Sequence, residues 1–168
     1  VVTGYKSSDI KKVLKKKVVY KHFDDFKKSN NLQTLLSVQK ELNKEIYCFF
    51  ADLVFDEIIL RKLQNIKKKI CMVIDTSKSL KNTMRVKIKK GEIKDIGSHI
   101  KPFYADGNFI GIAKFSKEGS ILLKKYLKSE KNNKKDYYTK AIQNIILDKI
   151  KVNYLDNKGL FWKEIDTK

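Results

Sequence analysis

Arginine is nearly absent from this chain. Arg61 and Arg85 are the two among 38 basic residues, so a formal net charge of +19 is carried almost wholly by lysine. Lysine is a flexible point charge rather than a planar fork, and here it is spread through every segment instead of clustering. The charge therefore speaks to solubility and steering, and a solvated lysine surface outweighs a polyanion-binding footprint. No specific nucleic-acid partner is expected. Cysteine is equally sparse: Cys48 and Cys71 stand far apart in apolar, strand-like runs, with no CxxC or Cys/His spacing for zinc. Two buried thiols in a reducing compartment are the expectation. Long apolar runs are missing too. None approaches the roughly 20 residues needed to cross a bilayer, and no apolar h-region stands near Val1, so no membrane span and a cytoplasmic location are expected. Strings of the GxSxG, GxGxxG and GxxxxGK[ST] kinds do not occur, which removes the usual support for hydrolase, Rossmann dehydrogenase and kinase readings. His22 and His99 have no acid or nucleophile spaced for a triad, and a surface or turn position is expected for both. Internal repeats and coiled-coil heptads are absent.

What is present suffices for one domain. At 168 residues and 42% hydrophobic the chain can bury a core. The pattern predicts a strand at Val1–Thr3, a helix at Asp9–Lys16 capped by Ser8, a strand at Val18–Tyr20, and a helix at Asn31–Leu42 capped by Asn30 or Asn31. Leu32, Leu35, Leu36 and Leu42 keep an apolar face that Gln39 interrupts. Ile46–Phe50 is an unbroken apolar run, as expected of a strand covered on both faces. After Asp56 come a short helix to Asn65 and a strand at Ile70–Ile74. Alternation over Met84–Ile88, turning at Lys90-Gly91-Glu92, predicts a hairpin with one wet face. A strand at Phe109–Phe115 precedes a Ser116-capped helix to Ser129, an exposed loop at Glu130–Lys135 and a helix at Tyr138–Ile150. Val152–Leu155 and Leu160–Ile165 are expected to close the chain as strands around the Asn157-Lys158-Gly159 turn. Alternating β and α elements imply a doubly wound α/β layer structure.

Two short strings carry chemistry. Phe50-Ala51-Asp52-Leu53-Val54-Phe55 and Phe161-Trp162-Lys163-Glu164-Ile165-Asp166-Thr167-Lys168 are apolar runs that deliver isolated carboxylates to strand ends, where hard oxygen ligands can meet Mg²⁺. Glu164 and Asp166 stand at i and i+2, so on a strand they face one side and can share an ion. For Asp52 the bland alternative is a cap for the helix beginning near Asp56, or a strand end in water. Asp56 and Glu57 suit the first helical turn, where the dipole favours acids.

FFADLVF and LFWKEIDT resemble the metal-binding segments of the nucleotidyltransferase family that builds CDP-, UDP- or dTDP-activated compounds. Val1-Val2-Thr3-Gly4-Tyr5-Lys6 resembles that family's second strand and turn, and Ser29-Asn30-Asn31-Leu32-Gln33-Thr34-Leu35 its NNxxSL-type helix start. Ala105-Asp106-Gly107-Asn108-Phe109-Ile110-Gly111-Ile112-Ala113-Lys114-Phe115 and the WKEIDT ending are similar to the phosphocholine and 2-aminoethylphosphonate cytidylyltransferases. The likeness covers nearly all of the 168 residues. It does not cover the family's opening strand and LAAGxGxR-type loop, which cradle the triphosphate. The resemblance thus implies a Rossmann-like mixed sheet of the nucleotide-diphospho-sugar transferase type lacking its first strand, one N-terminally truncated domain over residues 1–168, and no turnover by these residues alone.

The resemblance further implies Mg²⁺ as cofactor, with Asp52, Glu164 and Asp166 as its ligands and Asp52 and Asp166 as the catalytic pair. The implied partners are a nucleoside triphosphate, CTP foremost, and a small phosphorylated or phosphonate acceptor, with an oligomer possible. Asn30 and Asn31 are candidate contacts to base and ribose, balanced against plain helix capping. Tyr104, Asp106, Tyr137 and Trp162 are candidates for the acceptor, because rings attract a cationic head by about 0.5–2 kcal/mol per contact and Asp106 can add a counter-charge. Phe103 and Tyr138 are further ring candidates. For any one of these rings, a place in the core is the competing reading. Sugar-1-phosphate transfer and a non-catalytic basic binding module derived from the fold are the alternative functions.

Overall fold

The computed structural model describes residues 1–77 and 83–165. In chain order the elements are β1 (Val2–Thr3), α1 (Ser7–Leu14), β2 (Lys21–His22), α2 (Asn31–Ser37), β3 (Ile46–Phe49), β4 (Leu53–Phe55), α3 (Ile58–Gln64) and β5 (Ile70–Asp75). There follow β6 (Arg85–Lys89), β7 (Glu92–Gly97), β8 (Gly107–Phe115), α4 (Lys117–Ser129), α5 (Thr139–Leu147), β9 (Val152–Asp156) and β10 (Trp162–Glu164). The main sheet has six strands in the order β3-β8-β5-β9-β7-β6, with β6 also touching β8. It is mixed: β5 runs parallel to β9, while β3, β5 and β6 are antiparallel to β8, and β7 is antiparallel to β6 and β9. Two small ribbons stand beside it, parallel β1–β2 and antiparallel β4–β10.

Period-two alternation along β5 sorts the core into two layers. Ile70, Met72 and Ile74 enter one cluster with Leu123, Leu127, Ile142 and Ile145 of α4 and α5 and with Leu32 of α2. Cys71 and Val73 face the other way, against Ile59 and Leu63 of α3, with Leu53, Phe55 and Trp162 of the β4–β10 ribbon packed around them. Both faces of the central strand are covered, so all six of its residues are buried. The helices on the two faces make this the mixed α/β layer structure that the sequence pattern predicts.

Local differences have physical causes. Helix α1 ends at Leu14 because Lys15 adopts φ 49°, and its N-cap is Lys6, also at positive φ, so Ser8 lies inside the helix and caps nothing. The predicted strand at Val18–Tyr20 shifts to Lys21–His22, where pairing with Val2 and Thr3 decides it. Helix α2 breaks at Ser37, just before Gln39, and a 3₁₀ turn over Gln39–Glu41 then carries Leu42 into the core. Strand β3 is an edge strand bonded to β8 alone in the sheet; Ile46, Cys48 and Phe50 pack against one core cluster and Tyr47 against the other, while Phe49 is 45% exposed. The turn at Asn157-Lys158-Gly159 does not form a hairpin: β9 stays in the sheet, whereas β10 leaves to pair with β4.

Two glycines answer close approaches. Gly111, at φ +82°, lies where two steps along β5 (Met72 to Ile74) oppose four along β8 (Ala113 to Phe109), a bulge. A Cβ on Gly119 would sit 1.9 Å from the Lys69 carbonyl oxygen. At that start of α4, Ser116 Oγ accepts from the Gly119 N–H at 3.2 Å and the Ser116 N–H donates to the same Lys69 carbonyl at 2.9 Å. Gly119→Ala is expected to cost about 1–3 kcal/mol, lowering Tm by about 3–10 °C. Thermal unfolding followed by circular dichroism checks this, and an unchanged Tm refutes the tight contact.

Candidate functional site

The β4–β10 ribbon pairs Trp162 with Phe55, Lys163 with Val54 and Glu164 with Leu53. Beyond the last pair the Ile165 N–H donates to the Asp52 carbonyl at 2.8 Å, which brings the Asp52 backbone alongside the residue following Glu164. The two acidic strings, 112 residues apart in sequence, thus meet as neighbouring strands. Asp52 sits in the exposed turn between β3 and β4, and among the described residues its carboxylate has no hydrogen-bond partner. Capping does not occupy it: the Ile58 N–H at the start of α3 donates to Asp56 Oδ1 at 2.9 Å. Glu164 is half-buried on β10. Asp166 lies outside the described residues. Among the described residues no group of three His, Cys, Asp or Glu side chains is gathered as a metal site. What fits a hard divalent cation is the donor type alone: carboxylates on Asp52, in the turn, and on Glu164, in the neighbouring strand and opposite Leu53.

Trp162 is tied to the main sheet. Its indole Nε1–H donates to Asp75 Oδ2 at 2.7 Å, and the Ser77 N–H and Oγ–H donate to Asp75 Oδ1 at 2.9 and 2.6 Å. Asp75 ends β5 and is 2% exposed. One strand over, Asp156 ends the parallel β9 and accepts from Thr76 Oγ–H at 2.9 Å and from the Lys158 N–H at 2.9 Å. Asp75 and Asp156 were not among the candidates from sequence. The rule that found Asp52, an apolar run delivering a carboxylate to a strand end, applies equally to Ile70-Cys71-Met72-Val73-Ile74-Asp75 and would have found Asp75.

The other candidates are placed apart from the ribbon end. Asn30 and Asn31 knit the start of α2 to the segment before α5. Asn30 Oδ1 accepts from the Asn31 N–H at 2.8 Å, its Nδ2 donates to the Lys135 carbonyl at 3.3 Å, and Asn31 Oδ1 accepts from the Tyr138 N–H at 2.8 Å. Tyr137 is thereby beside the asparagines and exposed, whereas Tyr138 is core, edge-on to Phe50 and Phe109. Tyr104 is exposed on the 3₁₀ turn before β8, edge-to-face with Phe103 at 5.4 Å. Asp106 accepts from the Ile88 N–H at 2.7 Å and from Lys87 Nζ at 2.9 Å. Desolvation pushes its carboxyl upward, but those two donors outweigh it and hold the pKa below the ordinary aspartate value. Its carboxylate braces β6 against the start of β8.

Both arginines are bound up in the fold. Arg85 is buried and donates through Nε and a terminal nitrogen to the Ile100 and Ser98 carbonyls, and Arg61 pairs with Glu57 at 2.6 Å on the surface of α3. His99 is exposed in a turn, as expected, with its Nε2 2.8 Å from Asp95 Oδ2, and His22 Nε2 is 3.3 Å from Asp24 Oδ1.

Comparison with known proteins adds the fold's relatives. No protein-family model matches the sequence, and no curated protein matches it. Solved structures do match. The inositol-1-phosphate CTP transferase of T. maritima superposes with a TM-score of 0.78 at 16% identity, over 99% of this chain and 69% of that one. CTP:phosphocholine cytidylyltransferase of Streptococcus pneumoniae gives 0.76 at 16% identity over 99% and 72%. A Bacillus anthracis protein described as a glucose-1-phosphate thymidylyltransferase, in complex with a sucrose, gives 0.71 at 15% identity over 99% and 70%. The fold is that of the nucleotidyltransferases. At such identities the likeness speaks for architecture, and the chemistry rests on the residues above. Among the described residues no helix is long and apolar enough to cross a membrane.

Within this nucleotidyltransferase fold the two cysteines are inert. Both are free, Cys71 buried and Cys48 half-buried, and burial pushes each thiol up to about 12. At pH 8 the folded protein should react with a thiol reagent about three orders of magnitude more slowly than a free cysteine, whose pKa is about 8.5, and at the ordinary rate once unfolded. Because the folded-state pKa is raised, the stability linked to these thiols is complete below the unfolded value of 9.0 and is lost as pH rises from there towards about 12. Fast modification of the native chain refutes the burial of the sulfurs.

Proposed function

We propose that these residues belong to a Mg²⁺-dependent nucleotidyltransferase domain that transfers a nucleotidyl group, cytidylyl foremost, to a small phosphorylated or phosphonate acceptor such as phosphocholine or 2-aminoethylphosphonate. The observation that carries this reading is the meeting of Asp52 with the Glu164 strand at one ribbon end. In the reaction an acceptor phosphate oxygen forms a bond to the α-phosphorus while the bond to the β-phosphate oxygen breaks in line, and pyrophosphate departs with that electron pair. Asp52, Glu164 and Asp166 would hold the cation, which supplies charge neutralisation at the transferring group. No proton need be removed from an acceptor that is already an anionic phosphate, so the reading asks no general base of His22 or His99. The chain's own task is orientation of two anions, aided by the long-range pull of a lysine-rich surface.

A sugar-1-phosphate or polyol-phosphate acceptor is a second reading. It is favoured by the commitment of Asp106 to Lys87 and Ile88, which spends the counter-charge a cationic head would want, and by the inositol and glucose phosphate enzymes among the fold's relatives. Pyrophosphate release from each of the four common ribonucleotides and dTTP, against phosphocholine, 2-aminoethylphosphonate, inositol-1-phosphate and glucose-1-phosphate, separates the two. The assay belongs on the longest natural form of the polypeptide that carries these residues. A flat result across the panel favours a binding module without catalysis.

In that form, Asp52→Asn and Asp166→Asn should each cut turnover about a hundredfold or more at limiting Mg²⁺ without unfolding the chain, since each removes a charged ligand, and Glu164→Gln should do less. Steady-state rates over a Mg²⁺ series test this, and wild-type turnover in either aspartate variant refutes its assignment. If a cationic head lies against rings, Tyr104→Ala should raise the acceptor's KM about tenfold and leave the nucleotide's within twofold. Equal changes in both constants would assign the ring to packing.

A further inference from the structure

We propose that Asp75 is a positioning residue for the carboxylate ribbon: through the Trp162 indole it fixes the strand that carries Glu164 against the end of the central sheet. The inference rests on the metal reading given above for Asp52 and Glu164. Parity places it. Odd-numbered residues of β5 face the α3 side, where Cys71 and Val73 pack, and Trp162 is packed around that same cluster. Asp75, next in the odd series, therefore meets the ribbon rather than the helices α4 and α5, and its Oδ2 receives the indole N–H at 2.7 Å.

A carboxylate that is 2% exposed is costly unless donors satisfy it, so the Trp162 bond is held from both partners. Ser77 fixes the other oxygen through its N–H and hydroxyl, so the carboxylate plane is set by residues other than those of β10 as well. The backbone around it is also closed: a Cβ on Gly107 would lie 2.8 Å from the Asp75 carbonyl oxygen and 2.7 Å from Ile74 Cγ2. Trp162 and Glu164 are two residues apart on β10, and by strand geometry they share a face about 7 Å apart. Anchoring the indole thus limits where Glu164 can stand relative to Leu53, its partner across the ribbon, and to Asp52, the residue before that partner. Outer groups that orient metal ligands commonly govern affinity in this way.

Trp162 is the chain's single tryptophan, so its emission reports this contact directly. The test uses the whole polypeptide with Mn²⁺ alone as the probe. Free Mn²⁺ is followed by its paramagnetic resonance signal, the indole by fluorescence, and the Ile165 and Asp56 amides by hydrogen exchange. In Asp75→Asn, Mn²⁺ binding about 10–100-fold weaker, emission at longer wavelength and faster Ile165 exchange are expected. Trp162→Phe should lose the same affinity, and the double variant should lose no more than either single one. A lower Tm with unchanged Mn²⁺ affinity would mark a merely structural role and overturn the proposal, as would additive losses in the double variant. Should Asp75→Asn fail to fold, Trp162→Phe decides, since it keeps an aromatic ring in place, and unchanged affinity there overturns the proposal. If the unaltered chain shows no saturable Mn²⁺ binding, the metal reading falls instead. Ile165 exchange then decides the positioning claim: faster exchange in the variants supports it and unchanged exchange overturns it.

Discussion

The burial of β5 on both faces is the constraint from which the rest of the structure follows. Its six residues Ile70–Asp75 are all buried, and a strand covered on two sides must hand alternate side chains to two different layers. Ile70, Met72 and Ile74 collect α2, α4 and α5, while Cys71 and Val73 collect α3 and the β4–β10 ribbon. A slip of one residue in the pairing with β8 or β9 would exchange the two sets, placing the Asp75 carboxylate among Leu123, Leu127 and Ile142. Register is therefore enforced by the cost of burying an unpaired charge as well as by packing. The β4–β10 ribbon, packed on the layer of Cys71 and Val73, inherits its placement from that register.

The same parity explains a buried lysine. Lys114 on β8 faces the α3 layer beside Ile110 and Ile112, and its ammonium donates to the Gln64 carbonyl at 2.9 Å, stands 3.6 Å from Glu45 and lies over the Tyr47 ring. A helix C-terminal carbonyl, a carboxylate and a ring face together satisfy a charge at 5% side-chain exposure. The lysine joins α3 to the sheet on the same layer where Asp75 joins the ribbon. Two charged groups at different points of one layer thus fix, by directional bonds, what apolar contacts alone would leave free to slide.

How far the sequence could be read follows from the same physics. The long, strongly patterned elements β5, β8, α4 and the β6–β7 hairpin lie where alternation and caps place them, because burial on a given face is a local sequence property. That Asp52 and Glu164 belong to one site is what the resemblance implies, and no spacing argument could supply the approach of their strands, since Glu164 pairs with Leu53 in a ribbon that closes across most of the chain. The two-residue strand β2 was misplaced because three consecutive apolar-rich residues, Val18 to Tyr20, outscore Lys21-His22 on propensity, yet hydrogen bonding to β1 chooses the latter. Val19 is left largely in water by that choice. Asp75 was legible by the very rule used for Asp52; Trp162 as its partner was not, because the bond spans 87 positions and depends on which layer each residue faces.

Charge and site make different contributions to the proposed chemistry. A field from +19 acts on any anion at a distance of about one Debye length, near 8 Å at physiological salt, and raises encounter without choosing among anions. Choice requires groups held in place, and the held acids here are Asp75, locked by Ser77 and Trp162, and Asp156, locked by Thr76 and Lys158, while Asp52 is held through its backbone alone. Carboxylates so placed repel phosphates unless a cation intervenes. In the proposed reaction a lysine-rich exterior around fixed acids would draw in polyanions and admit them with their counter-ion, and selectivity would then rest on the rigidity of the ends of β5 and β9 and of the ribbon beside them.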